Sequence, residues 1–290
     1  MAERCRSLVR VIESQATSDG AGVKLRRSLG SGVFARLDPF LMLDEFFSDD
    51  PDDYIAGFPA HPHRGFETVT YMLDGRMQHT DHLGNTGDLG PGSVQWMTAG
   101  RGVIHSEMPQ QTEGRMRGFQ LWLNLPAAEK MRPPAYRDIA AGDIPELVFA
   151  GGLARLIAGQ LSIGTASQAG AINAMPGSMA TDPLLVDLRL EPGTEVEIPI
   201  APGHNALLYV YDGEMSIDGR TVPGRSAGVL DDGDRVVLLA GGHGGQALLI
   251  AGRPLGEPIV QYGPFVMNTR TEIEQAMADY RAGRLTEPVS

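Results

Sequence analysis

The 290-residue sequence predicts an all-β protein made of two similar halves, and three features of the chain support that expectation. Its apolar segments are short and rich in β-branched and aromatic residues, as in Glu67-Thr-Val-Thr-Tyr-Met-Leu73, a composition suited to a pleated, half-buried surface. The segments stop at turn signals. The 37 glycines and 20 prolines supply many of these, and no Pro/Ser or Gly/Ser run is long enough to read as a disordered linker. Finally, the pattern repeats: Tyr71-Met-Leu-Asp-Gly75 and Tyr209-Val-Tyr-Asp-Gly213 are both apolar strands running into Asp-Gly, which suggests an internal duplication.

In the first half, short apolar runs extend from about Val9 to Trp122, and Asp74-Gly75 predicts a hairpin turn after the 67–73 strand. Pro126-Ala-Ala-Glu-Lys-Met-Arg-Pro-Pro134 predicts a short helix stopped by prolines, which marks the connector. A chain of this length exceeds the usual size of one core, so two domains are expected, residues 1–135 and 136–290. Strands of the second half follow at Leu184–Leu190, Ala206–Tyr211, Met215–Asp218, Arg235–Ala240 and Ala247–Ala251, the spacing of a small barrel or sandwich. Thr271-Glu-Ile-Glu274 has the form of a capping box. It predicts a C-terminal helix with Ile273, Met277 and Tyr280 on its packed face and Gly283 near its end.

A net charge of −12 argues against direct binding to a nucleic-acid backbone, which requires clustered Lys and Arg. The single cysteine, Cys5, excludes an intramolecular disulfide framework and reads as an inert thiol near a terminus. The N-terminal residues carry no signal-peptide pattern, and nowhere do 18 apolar residues run together. A cytoplasmic, monomeric protein without membrane contact is expected.

Four side chains carry the chemistry. His61-Pro62-His63 and His105-Ser106-Glu107 each place two metal-binding groups at i and i+2, which on a strand point to one face. Two neighbouring strands can therefore aim three imidazoles and one carboxylate at one divalent cation. Such a nitrogen/oxygen set suits Fe(II), Mn, Ni, Cu or Zn better than Ca or Mg. One negative charge against the ion's two leaves a centre that favours an incoming anionic oxygen. His79 and His82, in Gln-His-Thr-Asp-His-Leu-Gly-Asn, read as solvated loop residues, as do His204 after Pro-Gly and His243 within Gly-Gly-His-Gly-Gly. Counting back from the repeated Asp-Gly, the second-half equivalents of His61 and His63 are Pro199 and Ala201, so the second half is expected to lack a metal.

Three longer motifs, Gly57-Phe-Pro-Ala-His-Pro-His-Arg-Gly-Phe-Glu-Thr-Val-Thr-Tyr71, Gln95-Trp-Met-Thr-Ala-Gly-Arg-Gly-Val-Ile-His-Ser-Glu107 and Gly263-Pro-Phe-Val-Met-Asn-Thr269, resemble the pirin family of the cupin superfamily. The likeness runs from about Leu37 to the C-terminal helix. It implies a bicupin, two jelly-roll β-barrels with a short connector and a C-terminal helix. One metal would lie in the N-terminal barrel on His61, His63, His105 and Glu107, with none in the second. Glu67 stands where ordinary cupins carry their carboxylate ligand, so here it is expected behind the ligands or in the barrel wall. Pirin-like proteins include metal-dependent quercetin 2,3-dioxygenases, and in eukaryotes iron-binding co-regulators of transcription. The resemblance thus implies a dioxygenase for a small, flavonol-like aromatic substrate and O2. Its cofactor would be Fe(II) first, with Mn, Ni, Cu, Co or Zn as alternatives, and Glu107 would be the general base. The alternative is a non-catalytic iron-binding regulator docking on a protein partner. A purely structural zinc site fits less well, since such sites close their shell with Cys or His. Phe58, Trp96 and Met97 would either line a flat aromatic pocket or fill the barrel core.

Overall fold

Strands dominate the computed structural model, which describes residues 4–30 and 36–287, with one α-helix, Arg270–Arg281, among them. The contacts divide the chain into two units, though not by a single cut near residue 135. One unit comprises Gln15–Arg36, Phe40–Ala141 and Leu255–Ser290; the other comprises Met1–Ser14, Leu37–Pro39 and Gly142–Pro254. The connector falls close to the expected place, but the two ends of the chain are exchanged. Strand Leu8–Glu13 pairs with Ser226–Leu230 in the second unit. The C-terminal helix packs Ile273 and Ala276 with Phe265, Met267 and Ile104 of the first. Strand pairing is non-local, so nothing in the local sequence signals this exchange.

Two facing sheets form the barrel of the first unit, beside a small two-stranded sheet, Val260–Tyr262 with Phe265–Met267. Seven strands run in the order Ala135–Ile139, Val94–Thr98, Phe66–Asp74, Met116–Asn124, Phe40–Ser48, Val23–Leu29, Gln15–Asp19. The other sheet has Phe58–His63, Val103–Pro109, Met77–Asp81 and Thr86–Leu89. Thr70 of the large sheet donates to Glu107 of the small one at 3.0 Å, so both line one interior. The turn at Asp74-Gly75 forms, with Gly75 at φ +85°, but it is not a hairpin. The strands on either side belong to different sheets, and the turn carries the chain across the interior.

The second unit is built on two long strands, Asn205–Ile217 and Arg235–Gly252, in a nine-stranded sheet with Leu8–Glu13, Ser226–Leu230, Leu184–Leu190, Gly152–Ala158, Glu146–Phe149, Glu195–Pro199 and Arg220–Pro223. Here Asp212-Gly213 is no turn at all. Gly213 sits at a register shift within one continuous strand, with φ +66° and no room for a Cβ, which would lie 2.4 Å from the Gly244 carbonyl oxygen. The strand bends there and stays paired. His243 accordingly lies exposed on the bend of the partner strand rather than in a loop.

The capping box lies two residues earlier than expected. Thr269, extended after strand Phe265–Met267, accepts from the Glu272 amide, and Glu272 accepts from the Thr269 amide. Thr269-Arg-Thr-Glu272 satisfies the same spacing as Thr271–Glu274, and the earlier residue is free of the helix to act as cap. The connector contains only a 3-10 turn, Ala127–Glu129. Cys5 is a free, exposed thiol. Among the described residues no helix is long and apolar enough to cross a membrane.

Candidate metal centre

Strands Phe58–His63 and Val103–Pro109 are antiparallel neighbours, and His105 stands directly opposite His61. Alternation then brings His63 to the same face. The ligand nitrogens of His61, His63 and His105 lie within 4.8 Å of one another, and the rings meet edge-on or tilted, with centroids 4.4 to 4.9 Å apart. Val103, His105 and Glu107 are buried while Ile104 and Ser106 are less so, the period-2 pattern that the His-x-Glu motif requires. A register shift lies between His105 and Glu107 on the side facing Phe58–His63.

The imidazoles are prepared to give up lone pairs. Burial holds the pKa of His63 and of His105 well below the ordinary value, and neighbouring imidazoles lower both further; the Pro264 carbonyl acts the other way on His63. Both rings are therefore neutral at neutral pH. His61 Nδ1 donates to the Pro59 carbonyl at 2.8 Å, which holds the ring in place. His63 Nδ1 and His105 Nε2 are buried with no hydrogen-bond partner among the described residues. An unmatched buried polar atom costs about 1–3 kcal/mol, and a cation at the point where the rings converge would satisfy these atoms together. The donor set thus fits one metal ion of the nitrogen-preferring class.

Glu107 stands outside that tight group of nitrogens but lines the same cavity. Its Oε1 accepts from Thr70 Oγ1 and its Oε2 from Gln120 Nε2, each at 3.0 Å. Trp122 Nε1 donates to Gln120 Oε1 at 3.3 Å and orients that amide. His63 is gripped by Phe66 and Trp122, with centroids 5.1 and 5.3 Å away. Glu67 is in the wall of the large sheet, buried, with Thr98 Oγ1 at 2.6 Å and Trp96 Nε1 at 3.1 Å donating to it. Burial raises its pKa, and these donors offset part of the rise.

His79 departs from expectation. It lies on strand Met77–Asp81 and is 2% exposed. It stands opposite Glu107, and its Nδ1 is 3.0 Å from Nδ1 of His105. The turn signals around it belong to the residues after Asp81; His79 itself follows the alternation of buried Met77, His79 and Asp81. His82 remains in the turn, where its Nδ1 accepts from the Ile104 amide at 3.4 Å. His204 is in a loop but buried, 3.5 Å from Asp182.

Above the histidines opens a cavity of about 810 Å3. Of the two places left open for it, Phe58 takes both: it lines the cavity with Met42, Phe46 and Trp122 and also packs against the core. Trp96 and Met97 do not line it: the first is bonded to Glu67, the second packs with Ala99 and Val103 in the core.

Residues 22–123 match the Pirin family and residues 185–286 match the Pirin C-terminal cupin domain. A Pseudomonas aeruginosa protein provisionally named quercetin 2,3-dioxygenase is 52% identical, with 97% of this chain and 99% of that one covered. This chain belongs to the pirin family. Human pirin is 40% identical over 92% of this chain and 90% of its own length. A quercetin 2,3-dioxygenase structure from Acinetobacter baumannii, 31% identical, superposes with a TM-score of 0.87 over 99% of this chain and all of that one. The first match falls mostly in the first unit, while the second covers strands of the second unit and continues into the C-terminal segment of the first; the second unit holds no comparable histidine group among its described residues.

Proposed function

We propose that the first barrel is the active centre of a metal-dependent dioxygenase that opens the ring of quercetin-like flavonols with O2. The convergence of three imidazoles beneath a cavity large enough for a three-ring ligand carries this reading. His61, His63 and His105 are the protein's nitrogen ligands, with Glu107 as the oxygen ligand that completes them. Fe(II) is the first choice of ion, with Mn, Ni, Cu, Co and Zn as alternatives. A bound ion would supply acidification of a flavonol hydroxyl and a route for dioxygen to the ring.

The chain's own residues do the rest. Phe58, Phe46 and Trp122 hold a flat ring system and exclude water. Glu107 takes the proton of the flavonol 3-hydroxyl, with Thr70 and Gln120 holding its carboxylate in place for that transfer. With a metal bound, both atoms of O2 would end in the opened ring product, with one ring carbon released as carbon monoxide.

The test is to supply the Fe(II)-, Mn- and Ni-loaded protein with quercetin in air and follow flavonol absorbance together with CO. Consumption matched by CO release and abolished in His61→Ala and Glu107→Ala is the expected result. Absence of turnover with every metal overturns it in favour of a metal-binding regulator that acts through a protein partner.

A further inference from the structure

The cavity above the histidines holds two arginines in opposite electrostatic circumstances. Arg27 is saturated. Its Nε donates to Asp44 Oδ1 at 2.8 Å and its Nη2 to Asp44 Oδ2 at 2.7 Å, with Asp19 Oδ2 3.0 Å from the same Nη2. Arg36, half-buried in the wall, donates from Nη2 to Gln261 Oε1 at 2.7 Å, and no ion pair reaches it among the described residues. A guanidinium carries five N–H donors in a flat fork, and among the described residues only Gln261 accepts from the one on Arg36. The other carboxylates of the cavity are engaged elsewhere: Asp19 and Asp44 by Arg27, Glu107 by Thr70 and Gln120. Burial lowers the Arg36 pKa, with no carboxylate near enough to oppose it.

Partial burial of a cation with no counter-charge beside it among the described residues is unfavourable. The guanidinium fork matches a carboxylate through two parallel hydrogen bonds. The same cavity offers aromatic faces at Phe46, Phe58 and Trp122 and, at the histidines, a place for a hydroxyl oxygen.

We propose that the cavity is built for a planar hydroxylated aromatic acid, whose carboxylate, remote from the hydroxyl, is held by Arg36 while Gln261 fixes the guanidinium. The hydroxyl end rests on the function proposed above; the carboxylate end rests on Arg36 alone. A neutral flavonol leaves this arginine unmatched and is therefore a surrogate for a charged substrate.

Binding of 6-hydroxy-2-naphthoate and of 2-naphthol, which differ only in a carboxylate at the far end of two fused rings, tests the idea. Affinities are measured by calorimetry on the full chain, both metal-loaded and metal-stripped. The acid is expected to bind about tenfold more tightly or better, as a charge-assisted pair implies, in both metal states. Arg36→Gln should erase that preference while 2-naphthol still binds, which shows an intact cavity, and Arg36→Lys should keep part of it. Equal affinities in the parent protein, binding of neither compound, or a preference that survives Arg36→Gln overturns the proposal. So does a preference that vanishes on metal removal, since the carboxylate would then be sitting on the ion. If quercetin is never consumed yet the Arg36-dependent preference stands, the dioxygenase reading fails and the ligand class holds.

Discussion

The two barrels share an architecture and differ in what fills it. Across the inner face of the first large sheet, residues in register run Arg27, Asp44, Gln120, Thr70, Gln95, Asp138. The corresponding kind of row in the second unit runs Ala154, Leu188, Ala247, Val210, Ser226. Its first four residues belong to a continuous core of Leu, Val, Ile and Ala that also includes Leu208, Leu249 and Val236. One interior is a polar ladder with a cavity and three convergent histidines; the other is a filled core. Strand pairing alone therefore does not specify a cupin's activity. The residues facing inward do. The first barrel is also tied to the C-terminal segment. Buried Lys130 donates to the carbonyls of Gly65 and Val266 and to Asn124 Oδ1, and Arg64, next to His63, bonds Asp279 and the Leu285 carbonyl.

The contrast breaks most visibly at the imidazoles. His63→Ala or His105→Ala should take metal content after exhaustive dialysis from stoichiometric to trace, measured by elemental analysis, with an unchanged far-ultraviolet circular dichroism spectrum. Retention of bound metal by either variant would place the ion elsewhere. The complementary substitution is Leu208→Ala in the second core, where a fully buried leucine is cut back. About 2–5 kcal/mol of unfolding free energy should be lost, read by urea denaturation, with metal content unaffected. Loss of metal in this variant would mean that the filled barrel does more than support itself.

Much of this contrast is legible in the sequence, because side-chain alternation on a strand is a local property. His61 and His63, and His105 and Glu107, declare their shared faces by spacing alone, and the replacement of the first pair by Pro199 and Ala201 marks the second barrel as different. What escapes is whatever depends on distant pairing. The exchange of the termini is invisible, since nothing in Leu8–Glu13 names Ser226–Leu230 as its partner. His79 is hidden by the turn signals that begin two residues later, although its strand is only Met77–Asp81. Arg36 gives no sign that it faces the cavity, because the acids that spare or neutralise an arginine are brought together only by the fold.

His79 sharpens the comparison at smaller amplitude. Its ring holds Nδ1 of His105 and so leaves the other nitrogen of that ring to face the cluster of three histidines. Loss of such a partner commonly weakens metal binding about 10–100-fold. His79→Ala should do so in a competition titration with a chelator, and His79→Gln, which can still hydrogen-bond, should recover part of the loss. Equal affinity in both variants and the parent would show that the contact does not orient His105.

The smallest expected effect concerns Glu67, the carboxylate held in the wall by Trp96 and Thr98. Burial raises its pKa in the folded chain above the value of about 4.3 for the unfolded one. The folded state therefore binds the proton more strongly, and stability falls as pH rises from about 4.3 through the folded pKa. Glu67→Gln removes this linkage at little structural cost, since its amide oxygen can accept from Trp96 Nε1 while its amide nitrogen donates to Thr98 Oγ1. In urea denaturation of metal-free protein across pH 4 to 7, the parent should lose stability relative to Glu67→Gln as pH rises, by about 1.4 kcal/mol for each unit by which the pKa is raised. The difference should then level off above the folded pKa. A difference between the two proteins that is flat across this range, or that changes in the opposite direction, would mean that Glu67 is ionised at no cost in the wall and that the first barrel tolerates a buried charge there.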